Sequence, residues 1–277
     1  MIFIKGHGLG NDYLVAHQHS QPLQPHQVLA ICHRHTGLGG DGILEPIADA
    51  SGVYGLRIWN PDGSLAEKSG NGLRIFARYL VDHRGAKCNL SIRVDAGVVR
   101  CQVDADAVTV EMGRATFAPG QIPATQALQN TAITVDQDVL NLTAVGVGNP
   151  HCVAFFPPET NLDGLPWRRW GEHLERHPLF PNRTNVQFAR RADDQKIELR
   201  IWERGAGETS ASGSSACAVA AAAVRLGIVQ PGAITLCMPG GTLHVTVHPD
   251  FHLTLRGPVE EVGVLQLSEN WWQRHCG

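Results

Sequence analysis

The sequence predicts an α+β fold built as two similar lobes, and three observations predict it. Residues 56–72 read LRIWNPDGSLAEKSGNG and residues 199–215 read LRIWERGAGETSASGSS. Leu56-Arg57-Ile58-Trp59 thus recurs as Leu199-Arg200-Ile201-Trp202, and Ser69-Gly70 as Ser212-Gly213, both at an offset of 143 (199 − 56 and 212 − 69). A second echo, GLGND at Gly8–Asp12 and GVGNP at Gly146–Pro150, puts Asn11 on Asn149 at an offset of 138 (149 − 11). Third, each half reads as many short strands around one helix, a mixed pattern with mostly antiparallel sheet and no regular βαβ alternation. The offsets differ by five residues, which one loop of different length explains. A period this long is far beyond the ~20–50 residues of a solenoid repeat.

Taken in order, IFIKGHGLGNDYLVAH reads as strand, Gly-rich turn and strand, a β-hairpin at a sheet edge. A helix is expected from Pro25 to His35, with Pro25 suited to a first turn. RHTGLGGDGILEP is a turn followed by a strand, and LRIWN is a strand. The helix after Ser69 runs through LRIFARYLVDH and sets Leu73, Phe76, Ala77 and Leu80 on one face. Short strands follow in SIRVDAG, VVRCQVD and AVTVEMG. The segment Ala118–Thr131, rich in Pro, Gln and Ala, marks a lobe boundary. It divides the chain into 1–117, joined by 264–277, and 118–263. Strands resume in AITVDQ, LTAVGVG and HCVAFF. DGLPWRRWGEHLERHP is expected to form a helix ending before Pro178. TNVQFARR and KIELRIWE are strands. The second central helix is ACAVAAAAVRLG, with Gly227 as its C-terminal cap. It is apolar all round and is therefore expected to be buried on every side. AITLCMP, GTLHVTVH and FHLTLRG complete the second lobe.

Composition excludes several classes of function. The 277 residues are 43% hydrophobic, enough for a core in each lobe, and the net charge of −3 leaves no basic footprint for nucleic acid. The seven cysteines are odd in number and show no disulfide spacing. With no signal peptide before MIFIKGHG, they point to the cytoplasm. The longest apolar run, Ala216 to Val224, is too short to cross a bilayer core of ~30 Å. Cys32, His33 and His35 lie close together but lack partners at zinc spacing, so no metal is expected there.

Chemistry concentrates at the two duplicated helix starts, SGNG and SGSS. Ordinary capping accounts for either serine alone. It does not account for glycine-rich, side-chain-poor helix starts after matching strands in both lobes. The unpaired N–H groups there make anion sites, and two of them facing each other across a cleft between the lobes hold one carboxylate from two sides. In the second copy Glu203-Arg204 opens the polar turn, and Asn60 takes the place of Glu203 in the first (203 − 60 = 143). Arginine forks a carboxylate, while Asn and Glu receive an ammonium. Asn11, Asn149 and Asn185 each sit in Gly- or Pro-flanked turns, where a lone Asn is ordinarily a turn former. Their common position at strand ends is the better clue.

GHGLGNDY, NPDGS-LAEKSGNG, GNPH, TNVQF and ERGAGETSASGSSA resemble, in order and spacing, the diaminopimelate epimerase family, over nearly the whole chain. The resemblance implies two pseudo-symmetric lobes, each a β-barrel-like sheet wrapped on a central helix, and no cofactor. It implies inversion of an amino-acid α-carbon by one base and one acid on opposite faces, within lysine biosynthesis. The expected partners are a small amino-acid substrate and, as one option, a second copy of the chain in a homodimer, with no nucleic acid and no membrane. The family's substrate contacts fall on Asn11, Asn60, Gly70, Asn71, Asn149, His151, Asn185, Glu203, Arg204, Gly213 and Ser214. Asn60, Asn185 and Arg204 match the positions that read the distal end of diaminopimelate.

The family's acid/base pair is two cysteines, and their places here are Ser69 and Ser212. A thiol titrates near ~8.5 and works as acid or base around neutrality. A hydroxyl is a far weaker acid and needs an adjacent base. Cys217 lies five residues beyond Ser212, more than a helical turn deeper, and is expected in the core. Lys68 and His151 are the nearby titratable groups, and Ser215 stands where the family usually has Gly. Three functions therefore stay open: an amino-acid epimerase with serines at the acid/base positions, an amino-acid-binding protein that does not invert its ligand, and a divergent lyase, dehydratase or double-bond isomerase of the same fold.

Overall fold

Leu9 and Gly10 both have positive φ (57° and 89°), the combination of a two-residue hairpin turn whose twist matches its strands. They close the hairpin of β1 (Ile2–Gly8) and β2 (Asn11–Gln18), with Gly8 opposite Asn11. The structure is a computed structural model that describes residues 1–18, 21–48 and 53–276. It divides into two units, Met1–Val110 with Gly257–Gly277 and Glu111–Arg256. The division falls at 110/111 and 256/257, where the sequence reading put 117/118 and 263/264. The segment 118–130 is part of the second unit, and its Ile122 and Leu128 enter a core with Leu142, Trp167 and Phe188.

In the first unit the chain continues through α1 (Pro25–Cys32), β3 (Ile43–Ile47), β4 (Tyr54–Trp59), β5 (Leu65–Ala66), α2 (Gly70–Arg84), β6 (Asn89–Val94), β7 (Gly97–Val103) and β8 (Val108–Arg114), whose last residues pass into the second unit. β2 runs parallel to β3, β3 antiparallel to β4, and β4 antiparallel to β5 but parallel to β6. β6, β7 and β8 follow as antiparallel neighbours. α2 packs against β1, β2, β6 and β7.

The second unit repeats this plan with β9 (Thr131–Val135), β10 (Asp138–Gly146), β11 (Pro150–Phe156), α3 (Trp167–Glu175), β12 (Asn185–Asp193), β13 (Lys196–Glu203), β14 (Gly207–Thr209), α4 (Gly213–Arg225), β15 (Gly232–Met238), β16 (Gly241–Val247) and β17 (His252–Gly257). β11 is parallel to β12, β13 is antiparallel to β12 and β14 and parallel to β15, and β15, β16 and β17 are antiparallel neighbours. α4 packs against β10, β11, β12, β15 and β16. Each unit is a largely antiparallel sheet about one helix, the α+β architecture the sequence predicts. Leu14 pairs with Ile43 as Cys152 pairs with Val186. The spacings are 29 (43 − 14) and 34 (186 − 152), so the five extra residues that separate the two sequence offsets lie between these strands, around α3.

The chain returns to the first unit as β18 (Glu260–Gln266) and α5 (Glu269–His275). β18 pairs antiparallel with the free side of β1, with Ile2 opposite Gln266. The first hairpin is therefore not at a sheet edge as the sequence suggested: β1 is flanked on both sides, by β2 and β18, and the partner that covers it lies at the far end of the chain.

The helices follow their sequence signals with small differences at the ends. α2 stops where Gly85 takes φ 66° and its N–H bonds the Leu80 carbonyl. Leu73, Phe76, Ala77 and Leu80 are all buried. In α4, Ala216 through Ala223 are all fully buried, as its uniform apolarity requires, and Gly227 follows the last turn with φ 70°. α1 ends at Cys32, three residues short of the expected His35. His33 turns extended, and its imidazole Nδ1 accepts the Thr36 N–H at 3.1 Å. The two LRIW tryptophans are held alike. Trp59 Nε1 donates to buried Glu45 Oε2 and Trp202 Nε1 to buried Glu175 Oε2, both at 2.9 Å. This satisfies the one polar atom of each ring. Among the described residues, no helix is long and apolar enough to cross a membrane.

Candidate active site

In the first unit the polar turn after β4 leads to Ser69, which caps α2. Its backbone is extended (φ −137°, ψ 120°), and its Oγ accepts the Gly72 N–H at 3.0 Å. This leaves the other first-turn N–H groups as donors to an anion. The turn is fixed from beneath by Arg74. Its fully buried guanidinium donates to the Gly70 carbonyl at 3.4 Å and to Asn71 Oδ1. Asn71 Nδ2 in turn donates to Asn11 Oδ1 at 2.9 Å, and Asn11 Nδ2 to Asp41 Oδ2 at 2.8 Å. Asn11, Ser69, Gly70 and Asn71 are thus brought together. Asn60 is engaged in its own turn, where its Nδ2 donates to Ser64 Oγ at 3.0 Å and its carbonyl accepts from Gly63. The hydroxyl of Tyr13, on β2, lies 3.2 Å from Ser69 Oγ.

In the second unit Ser212 caps α4 in the same way (φ −148°, ψ 127°). Its Oγ accepts the Ser215 N–H at 3.5 Å and lies 3.5 Å from Ser214 Oγ. Behind it runs a buried polar chain. Gln187 Nε2 donates to Ser215 Oγ and to His151 Nδ1, both at 3.0 Å. With Nδ1 accepting, the proton of the ring sits on Nε2, which donates to Asn149 Oδ1 at 2.8 Å. Burial holds the imidazole down at about 3, and the charge of Arg204 pushes the same way. His151 is therefore neutral at ordinary pH, with both ring nitrogens occupied. Asn185, beside His151 across the parallel β11–β12 pair, donates from Nδ2 to the Pro150 carbonyl at 2.9 Å. Its Oδ1 accepts the Arg204 N–H at 3.0 Å. Glu203 ends β13 opposite Gly207, and the exposed Arg204 side chain donates to the Asn182 carbonyl. The turn that carries them is tied to α3 through Glu175 Oε1, which accepts the Gly205 N–H at 3.0 Å. Asn149, His151, Asn185 and Arg204 form one connected group, joined through Gln187 and Ser215 to Ser212, Gly213 and Ser214. Cys217 is fully buried in α4.

A family model for diaminopimelate epimerase matches residues 3–118 and 143–262, which include both helix starts and every strand that carries the residues above. The chain belongs to the diaminopimelate epimerase family. Its relatives include the protein named diaminopimelate epimerase 2 of Nostoc sp., 42% identical over 281 residues that cover 97% of this chain and 96% of that protein. The diaminopimelate epimerase of Azotobacter vinelandii is 39% identical over 270 residues, 94% of this chain and 96% of that one. Among solved structures, a probable proline racemase from Agrobacterium radiobacter with bound carbonate superposes with a TM-score of 0.70 at 15% identity, covering 97% of this chain and 93% of that one. A hydroxyproline epimerase from Agrobacterium vitis with bound trans-4-hydroxy-L-proline superposes at 0.69 and 16%, covering 97% and 92%. At these identities the likeness to the solved structures is one of fold.

For this member of the diaminopimelate epimerase family, two contacts at the helix starts went unmarked in the sequence: the phenol of Tyr13 at Ser69, and Gln187 between His151 and Ser215. The signal for the first was present. The offset that puts Asn11 on Asn149 also puts Tyr13 on His151 (151 − 13 = 138). For Gln187 there was none, because its partners are set by the pairing of β12 with β11 and the packing of α4 on β12.

Proposed function

We propose that the chain is a cofactor-independent amino-acid epimerase, inverting the α-carbon of diaminopimelate or a similar amino acid by proton transfer on two faces. The observation that carries this reading is the matched pair of helix starts. Each of two units with the same strand pairings ends its polar turn in a serine whose Oγ sits on the first-turn N–H groups of a long helix. Ser69 and Ser212 take the acid/base roles. The N–H groups of Gly70, Asn71, Gly213 and Ser214 hold the substrate carboxylate, where the positive helix ends favour an anion. Asn11 and Asn149 flank the reacting end, with neutral His151 orienting the Asn149 amide. Asn60, Asn185, Glu203 and Arg204 read the distal end, and Arg204 has the planar fork suited to a carboxylate.

The test is incubation with LL-diaminopimelate in D2O, followed by NMR of the α-proton and chromatography of the stereoisomers. Loss of the α-proton signal together with appearance of the meso isomer is the expected result. One observation favours a second reading: hydroxyls stand at both acid/base positions, and a hydroxyl needs help to take a carbon-bound proton. Tight binding with no exchange supports a protein that holds the amino acid without inverting it. Formation of an unsaturated product supports a lyase.

A further inference from the structure

We propose that Tyr13 is the proton-relay partner of Ser69, a positioning residue that makes this hydroxyl competent as acid and as base. The inference rests on the epimerase reading above. Ser69 Oγ has one proton and two lone pairs. One lone pair is taken by the Gly72 N–H at 3.0 Å, and Tyr13 Oη stands 3.2 Å away in a contact where either oxygen can donate. The two choices are two functional states. When Tyr13 donates, the Ser69 proton is left to point away from both partners and is available to a substrate carbanion. When Ser69 donates to Tyr13, its remaining lone pair is available to take a proton.

The ring is held for this role. Tyr13 is buried on β2, opposite Gly6. A Cβ on Gly42 would come within 2.7 Å of its Cε1, so the phenol lies flush on that glycine backbone. The duplication gives the position a counterpart. Tyr13 corresponds to His151, so each unit sets a ring with a titratable group at the same place, on β2 in the first and β11 in the second. In the second unit the imidazole reaches the helix start only through Gln187 and Ser215. In the first, the phenol touches the serine oxygen directly. Tyrosine phenols ordinarily titrate near ~10, much closer to neutrality than an aliphatic hydroxyl.

The step balances on this face. The carbanion lone pair forms the new Cα–H bond with the Ser69 Oγ proton, and Ser69 Oγ takes the Tyr13 Oη proton. The phenolate left on Tyr13 regains a proton from water before the next turnover. In the opposite direction phenolate Tyr13 takes the Ser69 proton as Ser69 Oγ takes the α-proton, and the C–H electron pair stays on Cα.

The experiment compares the wild-type protein, Tyr13→Phe, Ser69→Cys and the double variant Tyr13→Phe/Ser69→Cys with diaminopimelate. It records kcat, KM and α-proton exchange in D2O across pH 6–11. Tyr13→Phe is expected to lower kcat by about 10²-fold or more with KM unchanged, and to abolish an ionisation in the phenol range present in the wild-type profile. In the Ser69→Cys background the same change is expected to have little effect, because a thiol needs no relay. Equal losses in both backgrounds, or an unchanged pH profile, would overturn the relay and leave the epimerase reading standing. A wild-type profile with no ionisation in the phenol range would overturn it without reference to any variant. No α-proton exchange by wild-type protein that binds diaminopimelate would overturn both.

Discussion

Replacing Ser69 and Ser212 together by cysteine is the sharpest perturbation of this protein. Both are helix N-caps, with Oγ 3.0 Å and 3.5 Å from the Gly72 and Ser215 N–H groups. A thiolate at such a position gains about 0.3–1 kcal/mol from the helix end, and up to ~2 when partly buried. At 1.36 kcal/mol per unit, that lowers a thiol from ~8.5 by up to about one and a half units. A substantial thiolate fraction is then present at neutral pH. A positioned acid or base is worth typically ~10²–10⁴-fold, so Ser69→Cys/Ser212→Cys is expected to raise epimerisation by at least about 10²-fold. Either change alone is expected to do little, because inversion needs a donor and an acceptor on opposite faces and paired groups do not act additively. Each change also weakens a cap, at about 0.5–2 kcal/mol. The larger sulfur is felt more at Ser212, which is only 6% exposed. The assay is conversion of LL- to meso-diaminopimelate with α-proton exchange in D2O, alongside calorimetric binding and thermal unfolding. A folded double variant that binds the ligand as the parent does, yet remains no faster, would refute the assignment of the serines. Ordinary epimerase rates in the parent would refute the argument that hydroxyls at these two positions are slower than thiols.

Other consequences are as direct. Arg204→Lys keeps the turn, because it is the Arg204 backbone N–H that bonds Asn185, but loses the planar fork. Ligand binding is expected to weaken by ~1.5–3 kcal/mol, and unchanged affinity in calorimetry would argue against a carboxylate role. Asn185→Ala removes partners from both the Pro150 carbonyl and the Arg204 N–H in a buried place. It should cost about 1–3 kcal/mol of stability, read from the denaturant midpoint. His151 is held at about 3 in the folded protein by burial, against ~6.5 unfolded. The unfolded chain therefore binds the extra proton first, and stability falls as pH drops from about 6.5 toward 3. His151→Gln, which keeps a buried hydrogen-bonding side chain, should flatten that part of the stability profile, and an unchanged slope would show that other groups set it.

Much of this molecule is written in local pattern. The LRIW and Ser-Gly echoes, separated by 143 residues, mark two copies of one strand–turn–helix. The unbroken apolarity of residues 216–224 announces a helix with no solvent face, and Gly85 and Gly227 stop the two central helices because they adopt positive φ without strain. These features depend on neighbours a few residues apart, whose side chains share a face whatever the rest of the chain does. What the tertiary structure decided lies in contacts that no short window contains. β1 looks like a sheet edge until β18 arrives from 264 residues away (266 − 2) to pair with its other side. Asn71 meets Asn11, 60 positions earlier, because α2 packs against β2, and burial of His151, not its identity, fixes its charge state. Ser69 is legible as a cap from its own sequence, but the phenol beside it belongs to a residue 56 positions earlier. Pairing register and the packing of a sheet on a helix bring such groups together, and these are properties of the whole fold.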